Sequence, residues 1–158
     1  SGQAAARNAS TVYSIAQPCS RKSRSEQSAF AALAMTTIAD AMAIAVGSLQ
    51  AGRLQDAEDV CRQVLAVDRN CADAWHLFGV IALEVGQPSL ASERAQRAVS
   101  LNPRDPEAQN TLGTALRLQH KWEEAIAHFR RAAKLRPDFA EAHYNLVAQR
   151  HVRFADRG

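Results

Sequence analysis

Residues 106–139 read PEAQNTLGTALRLQHKWEEAIAHFRRAAKLRPDF, and the stretch before them, residues 72–105, reads ADAWHLFGVIALEVGQPSLASERAQRAVSLNPRD. Aligned at an interval of thirty-four, the two stretches carry the same residue at several positions: Gly79 and Gly113, Ala91 and Ala125, Ala98 and Ala132, Leu101 and Leu135, Pro103 and Pro137. A fixed period of this length indicates stacked helical hairpins, in which each unit buries its apolar face against its neighbours.

Local signals place two helices in each unit. Gly86 ends one helix, where a left-handed residue is common, and Pro88 suits the first turn of the next helix. Asp105 is the expected N-cap of a helix that starts at Pro106 and runs to about His120. The following helix is predicted from about Trp122 to Leu135, and Asn70 followed three residues later by Asp73 resembles a capping box.

The repeated glycines predict close contact between the two helices of a hairpin. Gly79 and Gly113 lie on first helices, where the second helix must approach through Ala91 and Ala125. A larger side chain at either glycine would overpack the hairpin, at a cost of about 1–3 kcal/mol.

This pattern resembles the tetratricopeptide repeat (TPR), a helix–turn–helix unit of thirty-four residues. The second unit supplies the family's bulky, small and proline positions: Trp75, Phe78, Gly79, Ala91, Ala95, Ala98 and Pro103. The resemblance implies an all-α fold, a right-handed solenoid of antiparallel helical hairpins, with about three TPR units and a terminal capping helix. The amino-acid sequences of the repeats also resemble those of the repeat arrays that precede bacterial O-linked N-acetylglucosaminyltransferase-like and sulfotransferase-like domains.

The period and the composition together predict the domain layout. Residues 1–25, rich in Ser, Ala, Gln and Arg, are expected to be disordered, although this composition also suits an organelle transit peptide. Residues 26–37 are expected to form a helical lead-in. The TPR domain is expected over residues 38–158, in repeats that we place at 38–71, 72–105, 106–139 and, in part, 140–158.

One apolar stretch, residues 29–49, is long enough to cross a bilayer. Its apolarity is largely alanine, which inserts weakly, and a charge such as Asp40 near its centre costs about 2.5–3.5 kcal/mol on insertion scales. Because the stretch also runs in register into the repeats, we expect a buried helix rather than a membrane span.

Charge and cysteine content exclude several functions. The chain of 158 residues has a net charge of +3. The excess lies in residues 1–37, which carry four basic residues and one acidic residue, so the repeat region is neutral and nucleic-acid binding is not expected. Three cysteines without a CxxC pair indicate a reducing compartment, and hence the cytoplasm, rather than a disulfide framework or a zinc site. No phosphate-binding, nucleophile-elbow or metalloprotease motif occurs, so we expect no enzyme activity, cofactor or metal.

A groove for a partner is expected on the first helices, which line the inner face of such stacks. Repeat positions two, five, six, nine and about twelve should face inward. The residues we select as groove contacts are Met42, Val46, His76, Leu77, Val80, Asn110, Thr114, Arg117, Tyr144 and Asn145. Met42, Val46, Leu77 and Val80 would together form an apolar patch, and soluble monomers seldom leave such a patch bare.

The family offers two known binding devices, and this sequence matches neither closely. A ladder of Asn at position six would grip a peptide backbone, but that position holds Ala43, Leu77, Thr111 and Asn145. A clamp for a C-terminal carboxylate needs basic inward residues, whereas position two is acidic in the last three units: Asp73, Glu107 and Glu141.

The sequence therefore predicts a protein–protein interaction scaffold that binds an extended peptide or a helix, without catalysis. One alternative is a substrate-recruiting fragment of a TPR-containing glycosyltransferase or sulfotransferase. Others are a homo-oligomeric assembly module, or a groove filled by residues 26–37 or by a second copy.

Overall fold

The computed structural model describes residues 38–155, so the predictions for residues 1–25 and 26–37 lie outside the described residues. All described elements are α-helices, and the all-α expectation is confirmed. In chain order they are α1 (residues 38–50), α2 (Leu54–Val67), α3 (Ala72–Glu84), α4 (Pro88–Leu101), α5 (Pro106–Leu118), α6 (Trp122–Leu135) and α7 (Ala140–Ala155). Within this range, no helix is both long enough and apolar enough to cross a membrane.

The predicted period recurs in the helix boundaries. Three helices start thirty-four residues apart, and so do three others: Leu54, Pro88 and Trp122, then Ala72, Pro106 and Ala140. Pro106 occupies the first turn of α5, and the Asp105 carboxylate accepts a hydrogen bond of 2.9 Å from the Glu107 main-chain N–H, so this predicted cap is confirmed.

The predicted capping box at Asn70 is wrong by one residue. Because α3 begins at Ala72, the N-cap position falls on Cys71, and the Asn70 N–H instead donates to Asp68 Oδ1 at 2.9 Å. Burial raises the pKa of the Cys71 thiol, a larger effect than the opposing hydrogen bond from the Ala74 main chain. A raised pKa disfavours the thiolate, which is the nucleophilic form of cysteine.

The turn between the two helices of each hairpin uses one left-handed residue. Gly52 has φ +73° and Gly86 has φ +71°, whereas the third hairpin places His120 there at φ 60°. The predicted end of α5 near His120 is therefore too late, because α5 stops at Leu118 and His120 belongs to the turn. The His120 ring meets Trp122 edge-on, with ring centroids 5.4 Å apart.

The described residues belong to two compact units, one ending at Ala74 and the other beginning at Trp75. In the second unit α5 packs against α4 and α6, while α7 packs against α6 and touches α5. Its core joins three helices through alanines and a few large side chains: Ala95, Ala98, Val99, Ala108, Leu112, Leu116, Ala125 and Phe129. Contacts between neighbouring helices are the expected packing of stacked hairpins.

Both repeated glycines are sites of close contact, as predicted, but their partners differ. A Cβ atom on Gly79 would lie 3.2 Å from the Ala95 main-chain nitrogen and 3.4 Å from the Ala91 carbonyl oxygen. A Cβ atom on Gly113 would lie 2.7 Å from Cε1 of Phe129. The three atoms nearest to this position all belong to the Phe129 ring, which lies one helical turn after the expected partner, Ala125.

A buried polar pair joins α5 to α6. Gln109, fully buried, donates from Nε2 to the Pro103 carbonyl at 3.1 Å, and its Oε1 lies 2.8 Å from Nδ1 of His128. Because the Gln109 oxygen accepts, His128 carries its proton on Nδ1. Burial lowers the pKa of His128, and the positive charge of Arg131 lowers it further.

The lowered pKa of His128 predicts acid sensitivity. The unfolded chain takes up this proton below a pH of about 6.5, while the folded protein resists it, so acid favours unfolding. The contribution of neutral His128 to the free energy of unfolding should be complete above about pH 6.5. It should be lost as the pH falls toward the lower pKa that His128 has in the folded protein. In His128→Asn the amide still donates to Gln109 but does not titrate.

Urea unfolding above and below pH 6.5 measures this contribution. Wild-type protein should lose more stability on acidification than His128→Asn does. Parallel losses in the two proteins would contradict the prediction.

Candidate protein-interaction groove

A cavity of about 420 Å³ opens on one side of the second unit. It lies among α3, α5 and the start of α7, the first helices of successive hairpins. Its lining combines apolar, amide, hydroxyl and carboxylate groups: His76, Val80, Leu83, Glu84, Glu107, Asn110, Thr111, Thr114, Phe139 and Glu141. We call this cavity the groove.

Four of the predicted contact residues line the groove: His76, Val80, Asn110 and Thr114. The exposure that we expected for Leu77 is wrong, because Leu77 is only 7% exposed. It shares a helix face with Ile81, one turn later, which is 1% exposed and part of the core. Leu77 therefore cannot contribute to an exposed apolar patch.

Three other predicted residues lie outside the lining. Tyr144 is 73% exposed, whereas Asn145 is buried and contacts the groove residue Asn110. Arg117 is half-buried, and its Nε has no hydrogen-bond partner among the described residues. The structure thus assigns Asn145 a supporting position rather than a lining one.

The last two predicted residues, Met42 and Val46, lie on α1 in the first unit. Met42 is half-buried and Val46 is 39% exposed. They are one helical turn apart and share a face of α1.

Six lining residues were absent from the predicted set. Leu83, Glu107, Thr111 and Glu141 occupy inward repeat positions, so the period alone would have found them. Glu84 and Phe139 fall outside those positions. Phe139 stands at the N-cap position of α7, whose equivalent in α5, Asp105, does not line the groove, so the repeat pattern gave no signal for Phe139.

Hydrogen bonds organise the floor of the groove. Asn110 Nδ2 donates to Glu141 Oε1 at 2.8 Å, and Asn145 Nδ2 donates to Asn110 Oδ1 at 3.0 Å. A third bond, 3.0 Å long, joins His76 Nε2 and Thr111 Oγ1. The inward side chains of α3, α5 and α7 are thereby linked in pairs.

The rim of the groove is acidic. The lining residues include the carboxylates of Glu84, Glu107 and Glu141 but no Lys or Arg. Arg136 pairs with Glu107 at 3.1 Å, and its guanidinium lies over the Phe139 ring, 4.0 Å from the centroid. No such ion pair is formed by Glu84 or Glu141 within the described part of the chain.

Family comparisons agree with this architecture. A family profile described as "Tetratricopeptide repeat" matches residues 48–114, and one described as "TPR repeat" matches residues 113–146. The mouse (Mus musculus) protein O-mannosyl-transferase TMTC1 is 27% identical over 105 residues, which cover 64% of this chain and 11% of that protein.

Solved structures give the same result. The O-GlcNAc transferase of Thermobaculum terrenum matches with a TM-score of 0.71 at 29% identity, over 73% of this chain and 22% of that one. The first TPR domain of Spaghetti (RPAP3), solved with the HSP90 peptide SRMEEVD, matches with a TM-score of 0.68 at 20% identity, over 71% of this chain and 89% of that one.

The repeated helix boundaries, the small residues at the helix contacts and these matches lead to one conclusion. The chain belongs to the tetratricopeptide-repeat family, and the predicted fold class of antiparallel TPR hairpins is confirmed.

Proposed function

We propose that this chain is a protein-interaction module without catalytic activity, and that a peptide segment of a partner protein binds in the groove. The groove itself carries the proposal. Its volume of about 420 Å³ is in the usual range for ligand sites, about 300–1,000 Å³. Val80 and Leu83 supply apolar contact, and polar groups beside them can recognise a peptide.

The family relationship supports a peptide as the ligand. The first TPR domain of Spaghetti, which shares this fold, was solved with a bound HSP90 peptide. We assign the chain to repeats at 38–71, 72–105, 106–139 and, in part, 140–158. Among the described residues, Cys61 and Cys71 form no disulfide, which suits the reducing cytoplasm in which we place the protein.

A second candidate is the substrate-recruiting part of a larger glycosyltransferase. It is favoured by the 29% identity with the O-GlcNAc transferase of Thermobaculum terrenum, of which this chain spans 22%. In that setting the groove would hold the protein to be modified. The reading frame around these residues distinguishes the two candidates, since a transferase domain in it would favour the second.

A third candidate, self-assembly, has a direct test. Light scattering over a range of concentrations should give the mass of a monomer if the groove serves another protein. A mass that rises with concentration would favour assembly.

The groove proposal predicts that filling the groove removes binding. In Thr114→Arg a long side chain replaces a lining hydroxyl, and we expect peptides to bind at least about tenfold more weakly, since both volume and contacts are lost. Ser100→Arg on α4 is the matched control, because both hydroxyls bond to a carbonyl of their own helix, Thr114 to Asn110 and Ser100 to Arg97.

Peptides selected from a random library by the wild-type protein provide the probe. Fluorescence anisotropy should show weakened binding with Thr114→Arg and unchanged binding with Ser100→Arg, while circular dichroism stays helical for both. Equal affinity for the two variants would refute the groove as the binding site.

A further inference from the structure

The amides on the groove floor are occupied within the protein. Asn110 is 4% exposed and Asn145 is 8% exposed. Asn145 donates to the Asn110 oxygen, and Asn110 donates in turn to Glu141. A side-chain amide offers one oxygen and two N–H donors, so the oxygen and one donor of Asn110 are used. These amides therefore support Glu141 and leave little capacity to hold a peptide backbone.

Glu141 is the group at the open end of this chain of hydrogen bonds. It is an exposed residue at the second position of α7, and Asn110 binds only Oε1 of its carboxylate. An ionised carboxylate has about four acceptor positions, so Oε2 and part of Oε1 can still accept hydrogen bonds. The contact from Asn110 fixes the side chain toward the groove, which lowers the entropy lost when a ligand binds.

The charges around the groove favour a positively charged ligand. With Arg136 neutralising Glu107, the carboxylates of Glu84 and Glu141 give the lining a net negative charge. A cation would be attracted there, and an acidic peptide would be repelled. Arg136 illustrates how a cation can bind beside the groove, because its guanidinium bonds to Glu107 while its flat face covers the Phe139 ring.

Apolar wall residues lie in the same cavity as Glu141. Val80 and Leu83 line the groove from α3, and both are half-buried, so they offer partial surface to a ligand. The aliphatic stem of a Lys or Arg, or an apolar neighbour of that residue, fits such a wall while the charged end reaches a carboxylate.

We propose that the groove selects peptide segments that carry a Lys or Arg, whose cation binds the Glu141 carboxylate while an adjoining apolar side chain packs against Val80 and Leu83. This inference rests on the proposed peptide-binding function. It assigns Asn110 and Asn145 the role of positioning residues for Glu141.

The test uses the full chain and three labelled peptide pools. The pools are random except at a central position, which is Lys or Arg in the first, Gln in the second and Glu in the third. Wild-type protein should bind the cationic pool about tenfold more tightly than the Gln pool at low salt, and the difference should shrink as salt is added.

Glu141→Gln removes the charge and keeps the oxygen that accepts from Asn110. This variant should bind the cationic pool and the Gln pool with similar affinity. Glu93→Gln on the exposed surface of α4 is the control and should keep the preference. Thermal unfolding of each variant checks that the fold is intact.

The measurements distinguish a wrong assignment of Glu141 from a wrong assignment of the groove as the peptide site. If the pools bind with equal affinity, or if Glu141→Gln keeps the cationic preference, the cation is not held by Glu141 and the inference is overturned. Binding that Thr114→Arg still weakens would then leave the peptide groove in place. If wild-type protein binds none of the pools, both proposals are overturned.

Discussion

Phe129→Ala should lower the free energy of unfolding by about 3–5 kcal/mol, the usual cost of removing a fully buried aromatic ring. Phe129 is 0% exposed and is the largest fully buried side chain among the described residues. It lies on α6 in the core cluster shared by α4, α5 and α6, where four of the other seven residues are alanines. Small neighbours on rigid helices cannot move in to fill the space, so a cavity remains.

In the Phe129→Ala protein, the substitution Gly113→Ala should stabilise the fold, whereas in wild-type protein it should destabilise it. In wild-type protein, Gly113→Ala places a Cβ atom 2.7 Å from Cε1 of Phe129, so the ring must shift, at a cost of about 1–3 kcal/mol. Without the ring this cost disappears, and alanine is about 1 kcal/mol better than glycine inside a helix. Gly113→Ala should then stabilise the Phe129→Ala protein.

A double-mutant cycle by urea unfolding measures this coupling. Gly79→Ala is the control, because its nearest neighbours are main-chain atoms of α4 and Phe129→Ala should not relieve them. If the costs of Gly113→Ala and Phe129→Ala simply add, the proposed contact between the two residues is wrong.

Gly86→Val should lower the free energy of unfolding by about 2 kcal/mol or more. The cause is conformational, since Gly86 has φ +71° and a Cβ atom there meets no other atom within 4 Å. The left-handed conformation costs an L-residue about 1–2 kcal/mol, and a β-branched side chain suffers more. Gln87→Val is the control at the neighbouring position, because Gln87 has a φ of −112°, outside the left-handed region.

At the equivalent position of the third hairpin, His120, a substitution by glycine should change the stability in the opposite direction. His120 has φ 60°, so His120→Gly should relieve part of the strain and raise stability by up to about 1 kcal/mol. Melting temperatures of Gly86→Val, Gln87→Val and His120→Gly compare the three sites. A loss of stability in His120→Gly would mean that the ring contact with Trp122 outweighs the strain.

The architecture was predictable because it depends on properties that repeat. The period, the prolines at first turns and the small residues at close contacts all follow from helix geometry, and they located the helices to within about two residues. The partner of Gly113 was not predictable in this way. Phe129 occupies the repeat position of Ala95, which lies beside Gly79, and a repeat pattern does not specify how closely a larger ring at that position approaches the glycine.

The groove was less predictable, because inward repeat positions differ in how far they face solvent. Asn110 lines the cavity, but the sequence did not show that Asn145 and Glu141 would occupy its amide. The selected groove contacts therefore omitted the carboxylates. Leu77 was misjudged for a related reason: position six of α3 turns toward the core, as its burial beside Ile81 shows.

The packing of α7 among the described helices has a dynamic consequence. This helix packs against α6 and touches α5, and it brings Glu141 to the groove. A helix held along one side opens locally at a lower free energy than α5, which has neighbours on both sides. Amide hydrogens of α7 should therefore exchange early, and a bound ligand that holds Glu141 should slow their exchange more than that of α6.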